Sequence, residues 1–225
     1  MLNHSRRLFI AGSIACVAAP HAALADAGAG AGVAPNAALA RLVAGNKKFV
    51  SEMTGSRINT VAERAALGNG QAPWASILTC ADSRTAPEIL FNQGLGDIFV
   101  VRVAGNIATA EETASLEYAA AVLGSQLIVV MGHSGCGAVQ SAIKFSKGEK
   151  MPSEDLTALV TAIQPAVKKA SSMSGDLLLN ATKANAKLTV KQLRDVDILE
   201  GLAEKKKMKI VAAYCDLTTG TVSWL

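Results

Sequence analysis

The chain has 225 residues, 50% of them apolar and 18% charged, and is long enough to bury one sizeable hydrophobic core in a single domain. Its formal net charge of +4 comes from scattered basic residues, and the lysine cluster at 205–207 ends a helical pattern, as expected of a solvated helix end. Aromatic residues make up 4% of the chain and are not interleaved with basic ones, so we exclude a nucleic-acid partner.

The first 27 residues are predicted to be a signal peptide. Residues 5–10 read SRRLFI, a twin-arginine pattern, and precede an apolar stretch at 10–19 and the small-residue run at 22–25. An apolar run of about ten residues is half of what a bilayer span needs, so no stable membrane span is expected in the mature chain. We expect a periplasmic or secreted protein, and Cys16 leaves lipid attachment open as an alternative.

Past the leader, a flexible mature N-terminus is predicted at 28–35 and a single folded domain over 36–225. The hydrophobic periodicity predicts helices at 37–52, 61–67, 111–123 and 138–145 and over most of 153–207, and strands at 74–79, 97–103, 126–131, 209–214 and 221–224. Because helices separate the strands, we expect an α/β fold with a mostly parallel central sheet of four to five strands flanked by helices.

Two short motifs follow two of the predicted strands. Cys80 comes directly after the first strand, while His133 and Cys136 lie in a turn at 132–137 that follows the third. In open parallel sheets, ligands gather beyond the carboxyl ends of the strands, so these side chains can meet there. Two thiolates and one imidazole suit tetrahedral zinc. We therefore predict a zinc site formed by Cys80, His133 and Cys136.

The fourth zinc position separates a structural site from a catalytic one. A structural site would recruit another Cys or His, and Cys215, the one other cysteine of the predicted mature chain, lies inside a strand pattern. Asp82, two residues after Cys80 on an extended segment, faces the same way and is a better candidate, as is a water molecule. A catalytic zinc needs such an open or displaceable position, since its bound water then ionises near pH 7.

The sequence CADSR at 80–84, followed by HSGCG at 133–137, resembles the paired signature of beta-class carbonic anhydrases. The segment GLGDIFVVRVAGN at 94–106 is also similar to that family, and the similarity runs from about residue 36 to the C-terminus. The resemblance implies the beta-carbonic-anhydrase fold, one Zn²⁺ per subunit and a single zinc-dependent catalytic domain. It implies a lyase that reversibly hydrates carbon dioxide to bicarbonate and a proton by means of a zinc-bound hydroxide.

The resemblance also implies roles for individual residues. Asp82 and Arg84 would form a catalytic switch, in which Asp82 is a pH-dependent fourth zinc ligand or is held off the metal by Arg84. The implied substrate-binding residues are Gln71, Phe99, Tyr118 and Gly137.

In the family, the residues matching Gln71, Phe99 and Tyr118 reach the zinc of a neighbouring subunit. The resemblance therefore implies a homo-oligomer, either a dimer or a dimer of dimers. Gln71 also matches the plant-like type, whose site is open at rest. Ile77 stands where some bacterial members have a Trp of an inhibitory bicarbonate site, so we expect no such inhibition.

Two alternatives stay open. A carbonyl sulfide or carbon disulfide hydrolase could use the same ligands, because its specificity would depend on the shape of the pocket. A structural zinc or thiol-redox protein would instead close the site or join Cys80 and Cys136 in a disulfide.

His4 and His21 lie in the predicted leader, so the mature chain keeps only His133 and no histidine can shuttle protons.

Overall fold

The computed structural model describes residues 32–53 and 60–225, so the predicted leader and residues 28–31, the first half of the predicted flexible segment, lie outside the described residues. In the described ranges the helices are α1 Pro35–Val50, α2 Val61–Leu67, α3 Pro87–Leu90, α4 Ala110–Ala121, α5 Gly137–Ser146, α6 Glu154–Ala170, α7 Leu177–Arg194 and α8 Asp197–Glu204. The strands are β1 Ala75–Thr79, β2 Ile98–Arg102, β3 Leu127–His133, β4 Lys209–Cys215 and β5 Val222–Trp224. A short 3-10 turn covers Ala104–Asn106.

The five strands form one sheet in the order β2-β1-β3-β4-β5. The first four are mutually parallel, and β5 pairs with β4 in the antiparallel direction. The turn between β4 and β5 is short, and such turns join antiparallel strands only. The α/β fold with a mostly parallel sheet is confirmed.

The central strand β3 is buried along its whole length, which explains why its sequence is continuously apolar. Its side chains alternate between two hydrophobic layers. Val129 and Met131 pack in the layer that contains Leu42 of α1, whereas Ile128 and Val130 pack in the layer with helices α4, α7 and α8. Helices therefore cover both faces of the sheet, as expected for parallel strands.

A third hydrophobic cluster lies beyond the carboxyl ends of the strands. It combines residues of α5, α6 and α7, such as Val139, Ile163 and Ala181, with Cys80 and Cys136. The two thiols are thus packed within an apolar layer at the edge where parallel sheets carry their sites.

Several element boundaries differ from the prediction. Helix α1 begins at Pro35, inside the segment predicted to be flexible, because proline suits the first turn of a helix. Strand β3 continues to His133, two residues past its predicted end, because Gly132 and His133 pair with Tyr214 and Cys215 of β4. His133 therefore ends a strand and does not lie in the predicted turn.

Two short elements were not predicted, namely α3 and the 3-10 turn, because four and three residues are too few for a periodic pattern. The predicted helical region 153–207 consists of α6, α7 and α8. None of the helices within the described ranges combines the length and the apolar character that a membrane crossing requires.

Candidate metal centre

The three predicted ligands meet at the carboxyl end of the sheet. Cys80 follows β1, His133 ends β3, and Cys136 is the N-cap residue of α5. Their ligand atoms all lie within 4.8 Å of one another, and all three residues are buried. The Sγ atoms of Cys80 and Cys136 are 4.0 Å apart. Tetrahedral zinc with bonds of about 2.3 Å would hold two sulfurs about 3.8 Å apart, so the spacing fits zinc.

The sulfur separation also bears on the thiol-redox alternative. A disulfide requires an S–S distance of about 2.05 Å. Cys80, Cys136 and Cys215 are free cysteines, so the predicted disulfide of a redox protein is not formed here. Cys215 is fully buried in the hydrophobic layer around α1, as expected of a small apolar side chain.

The imidazole of His133 is oriented by its own backbone neighbour. Its Nδ1 lies 2.9 Å from the carbonyl oxygen of Ser134. Because a carbonyl oxygen can only accept, Nδ1 carries the proton and Nε2 keeps its lone pair. Nε2 is buried and has no hydrogen-bond partner among the described residues. A metal ion would satisfy this nitrogen, which makes His133 a pre-oriented ligand.

The two thiols differ in their hydrogen bonds. Cys80 Sγ accepts from the backbone N–H of Gly105 at 3.3 Å and interacts with Cys136. The Cys136 thiol, followed by His133 and the Gly105 N–H, lowers the pKa of Cys80. The same contact with Cys80, together with burial, raises the pKa of Cys136. Without a metal the pair therefore shares one proton, which zinc would displace on binding.

Burial and the neighbouring Cys80 have opposite effects on the pKa of His133. Burial favours the neutral imidazole, but the negative charge of the neighbouring Cys80 thiolate outweighs burial and raises the pKa of His133. A thiolate that attracts a proton to the ring would attract a metal cation in the same place. The electrostatics of the three side chains thus favour a bound cation.

Asp82 and Arg84 form a bidentate ion pair beside the ligands. Arg84 donates from Nε to Oδ1 at 2.9 Å and from Nη2 to Oδ2 at 2.7 Å, and its backbone N–H donates to Oδ1 at 3.0 Å. The hydrogen bonds from Arg84 hold the pKa of Asp82 well below its usual range. Asp82 Oδ2 lies 3.8 Å from His133 Nε2, although Asp82 is outside the group that can share one ion.

Two residues that the sequence reasoning missed hold the segment between Cys80 and Asp82. Arg102, at the end of β2, donates to the carbonyl oxygens of Cys80 at 3.2 Å and of Asp82 at 2.5 Å. The hydroxyl of the buried Thr85 lies 3.1 Å and 2.9 Å from the same two oxygens. The signals in the sequence are that Thr85 directly follows the CADSR motif and that Arg102 lies within the similar segment 94–106.

The structure does not bring Gln71 or Phe99 to the metal ligands of their own chain, and it places Tyr118 partly exposed on a helix. Gln71 is exposed and precedes β1, whereas Cys80 follows it. Phe99 pairs with Ser76 near the start of β1, about 13 Å from the level of Cys80 at about 3.3 Å per residue. Tyr118 lies on α4 and is 48% exposed.

Gly137 is the first residue of α5 and directly follows Cys136. It is exposed, and a Cβ atom built on it would meet no heavy atom within 4 Å. Its backbone N–H belongs to the first turn of the helix, whose N–H groups have no partner within the helix. Gly137 is therefore adjacent to the ligands and open to a small molecule.

The family model for carbonic anhydrase matches residues 75–222, a range that contains the three ligands and the Asp82–Arg84 pair. The chain belongs to the carbonic anhydrase family. The carbonic anhydrase of Mycolicibacterium smegmatis is 38% identical over 183 residues, covering 80% of this chain and 88% of that protein. Carbonic anhydrase 2 of Mycobacterium tuberculosis is 44% identical over 133 residues, covering 59% of this chain and 64% of that protein, slightly less than two thirds of its length.

Solved structures identify the beta class. The beta-carbonic anhydrase CcaA superposes with a TM-score of 0.65 at 27% identity, covering 83% of this chain and 94% of that one. A tetrameric beta-carbonic anhydrase from Sordaria macrospora has a TM-score of 0.66 at 20% identity, covering 83% and 96%, and shows likeness of fold alone. The beta-carbonic-anhydrase fold predicted from the motifs is confirmed.

Proposed function

We propose that the protein is a zinc-dependent lyase that reversibly hydrates carbon dioxide to bicarbonate and a proton. One observation carries the proposal: a Cys-His-Cys group that fits zinc lies beside an aspartate held by an arginine. A structural zinc site has no use for such a carboxylate. The similarity to carbonic anhydrases over most of the chain supports the same activity.

Cys80, His133 and Cys136 would hold one Zn²⁺ per subunit. When bound there, zinc supplies the Lewis acidity that makes water a nucleophile near neutral pH. The apolar cluster around the two thiols excludes bulk water from one side of the ligands. The hydrogen bond from His133 Nδ1 to Ser134 keeps Nε2 directed into the site.

Asp82 is the residue that would position the attacking water. Arg84 donates to both carboxylate oxygens, which supports the open-site arrangement predicted for the plant-like type, in which Asp82 would be held off the metal. In this position the ionised carboxylate can accept a hydrogen bond from water and orient its lone pair toward carbon dioxide. Swinging away from Arg84 would make Asp82 the fourth ligand and close the site.

The proton released in each turnover needs a route other than histidine. The three histidines of the chain are His4, His21 and His133, and the first two fall within the predicted leader. His133 uses Nδ1 for Ser134 and would use Nε2 for the metal. Proton release therefore depends on water, carboxylates or external buffer, and turnover should rise with buffer concentration where this step limits the rate.

The substrate pocket is proposed to include Gln71, Phe99 and Tyr118 from a neighbouring subunit and Gly137 from the same one. Gln71 and Phe99 lie toward the opposite ends of the strands from their own metal ligands, and all of the first three are exposed or half-buried in the single chain. An assembly of two or four subunits would bring them to a second site, and the tetrameric fold neighbour is in keeping with this arrangement.

Export is the remaining part of the proposal. The twin-arginine pattern at 5–10 supports passage across the membrane in the folded state, with cleavage after Ala25 or Ala27. Zinc would then be loaded before the thiols meet an oxidising compartment. Cell fractionation with Arg6 and Arg7 changed to lysine tests the route, and unchanged export of that variant would contradict it.

The decisive experiment is a stopped-flow assay of carbon dioxide hydration by the purified mature protein. The wild type is expected to accelerate hydration, and the zinc-poor variant Cys80→Ser serves as the control that should lose the activity. The same preparations are assayed with carbonyl sulfide and carbon disulfide. Turnover of a sulfur substrate without carbon dioxide hydration, or a folded zinc-loaded protein with no activity, would contradict the proposal.

A further inference from the structure

Helix α7 donates side-chain hydrogen bonds to the loop that follows β2. Asn185 Nδ2 donates to the carbonyl oxygen of Gly105 at 2.7 Å, and Gln192 Nε2 donates to that of Ala108 at 2.6 Å. Between them, the Thr189 hydroxyl lies 3.5 Å from the carbonyl oxygen of Asn106. Donors spaced by four and three residues lie on one side of a helix. One stripe of α7 therefore fixes the course of this loop.

The same loop contacts a proposed metal ligand. Gly105 donates its N–H to Cys80 Sγ at 3.3 Å, and it does so with a φ of +75° that favours glycine. A Cβ atom at this position would lie 2.7 Å from Ile163 Cδ1 and 3.1 Å from the Cβ of Ala138. The loop therefore packs closely against α5 and α6. A small displacement of Gly105 would change the hydrogen bond between its N–H and Cys80 Sγ.

Of the three side chains on this stripe, Asn185 is the one that binds Gly105, the residue whose N–H donates to Cys80 Sγ. It is 3% exposed, so solvent does not compete for its amide. Its partner is Gly105 itself, whereas Gln192 binds a carbonyl three residues further along the chain. The Thr189 contact is longer than either of the others. Asn185 therefore fixes both the position and the orientation of Gly105.

We infer that Asn185 is a positioning residue for the metal centre, acting through Gly105 on the Cys80 thiolate. Its amide holds the Gly105 backbone in the conformation in which the N–H points at Cys80 Sγ. A hydrogen bond to a ligating thiolate draws electron density from the sulfur and tunes the strength of its bond to the metal. The inference rests on the proposed zinc site, but not on the reaction catalysed there.

The test compares Asn185→Leu, which removes the amide, with the matched control Gln192→Met, which removes an equivalent donor from the same helix stripe. Zinc affinity is measured by competition with a chelator, and the thiolate-to-metal absorption band is recorded after cobalt(II) substitution. Asn185→Leu is expected to weaken zinc binding about 10- to 100-fold and to shift the cobalt band, while Gln192→Met changes affinity by less than about twofold. Circular dichroism establishes that both variants are folded.

A milder variant, Asn185→Ser, keeps the test independent of any folding defect in the leucine variant and is expected to lose zinc faster than the wild type. The inference is overturned if the Asn185 variants bind zinc and cobalt as the wild type does. It is also overturned if Gln192→Met weakens binding equally, because the loop would then respond to any lost contact. A wild type that binds zinc without hydrating carbon dioxide would contradict the proposed function and leave this inference intact.

Discussion

Each proposed ligand is held at the metal centre by a different local interaction. Cys80 is carried to the edge of the sheet by β1, and its carbonyl is then held by Arg102 and Thr85. His133 is fixed by the bond from its ring to the carbonyl of Ser134. Cys136 is the N-cap residue of α5, so the start of that helix determines its position. Three independent supports thus converge on one small volume.

The contact between Asp82 and Arg84 gives a residue-scale prediction. In Arg84→Ala the carboxylate loses its two guanidinium hydrogen bonds and is free to approach the metal. We expect carbon dioxide hydration at neutral pH to fall by about 10- to 100-fold while zinc is retained. Stopped-flow rates and metal analysis of the same preparation measure the two quantities separately.

Arg84→Lys is the matched control, because lysine keeps the charge but cannot form the bidentate contact. We expect its activity to lie between that of the wild type and that of Arg84→Ala. Full activity in Arg84→Ala would show that Asp82 needs no partner to stay off the metal. Loss of zinc in that variant would instead assign Arg84 a structural role.

The sequence predicted the ligands but not their supports, for a physical reason. Cys80, His133 and Cys136 follow apolar strands and combine residue types that suit one metal, so pattern and chemistry both identify them. Arg102 and Asn185 act on backbone carbonyls 22 and 80 residues away in the chain. Every residue has a backbone carbonyl, so the sequence does not show which carbonyl a distant side chain will bind. Such contacts are seen only in the folded chain.

At the scale of elements, the long periodic helices and apolar strands were predictable, whereas their close contacts were not. Gly45 of α1 is buried against the backbone of Phe91, which directly follows α3. A Cβ atom at Gly45 would lie 1.8 Å from the Phe91 carbonyl oxygen. The sequence contains only a glycine in a helical pattern, and α3 itself was not predicted. The packing of these two helices therefore had no detectable signal.

We predict opposite effects on the free energy of unfolding for two glycine-to-alanine changes in helices, one at this contact and one at an open position. Gly45→Ala is expected to lower the free energy of unfolding by about 1–3 kcal/mol, because the Phe91 backbone must move. Gly201→Ala, in α8, is expected to raise it by about 0.5–1 kcal/mol, because its Cβ would meet no atom within 4 Å and alanine favours the helix. Urea unfolding of both variants measures the difference, and a stable Gly45→Ala protein would refute the close packing.

The turn between β4 and β5 gives a pH-dependent prediction. Asp216 Oδ1 accepts the backbone N–H groups of Thr218 and Thr219, both at 2.9 Å. The bond from Thr219, followed by that from Thr218, lowers the pKa of Asp216 from its ordinary value of 3.8. Because the pKa is lower in the folded state, the stabilisation is complete above pH 3.8 and is lost as the pH falls through the folded value.

We therefore expect Asp216→Ala to be less stable than the wild type at neutral pH, with a difference that shrinks below pH 3.8. Denaturant unfolding across this pH range measures the difference. Asp216→Asn is the control, since its amide oxygen still accepts but does not titrate, and its difference from the wild type should not follow this pH dependence. A gap between wild type and Asp216→Ala that stays constant on acidification would assign the effect to something other than the carboxylate.

At the scale of the whole molecule, the single chain separates the proposed metal ligands from two of the proposed substrate-binding residues, Gln71 and Phe99. The ligands lie at the carboxyl ends of the strands, whereas Gln71 and Phe99 lie toward the opposite ends of β1 and β2. Strand β2 is also an edge of the sheet, and edge strands are usually covered in stable proteins. A second copy of the chain that covers this edge would bring its substrate-binding residues to the metal ligands of the first copy.

A site shared between subunits predicts that two defective variants restore each other. Cys80→Ser lacks zinc but keeps Gln71, and Gln71→Ala binds zinc but lacks the amide that would contact the substrate at its neighbour. In a mixed dimer, the zinc of one chain meets the intact glutamine of the other, so one of the two sites is complete. Random pairing makes half of the dimers mixed, so co-expression should yield about one quarter of wild-type activity above the residual activity of the parents.

The measurement is carbon dioxide hydration by the co-expressed mixture, compared with the two variants purified separately and then combined without exchange of subunits. Differently tagged chains allow the mixed dimer to be isolated, and its specific activity should approach one half of the wild-type value, since one of its two sites is complete. If Gln71 acted on the zinc of its own chain, each chain of the mixed dimer would carry one defect. The mixture would then never exceed the average of its parents, and the shared site would be refuted.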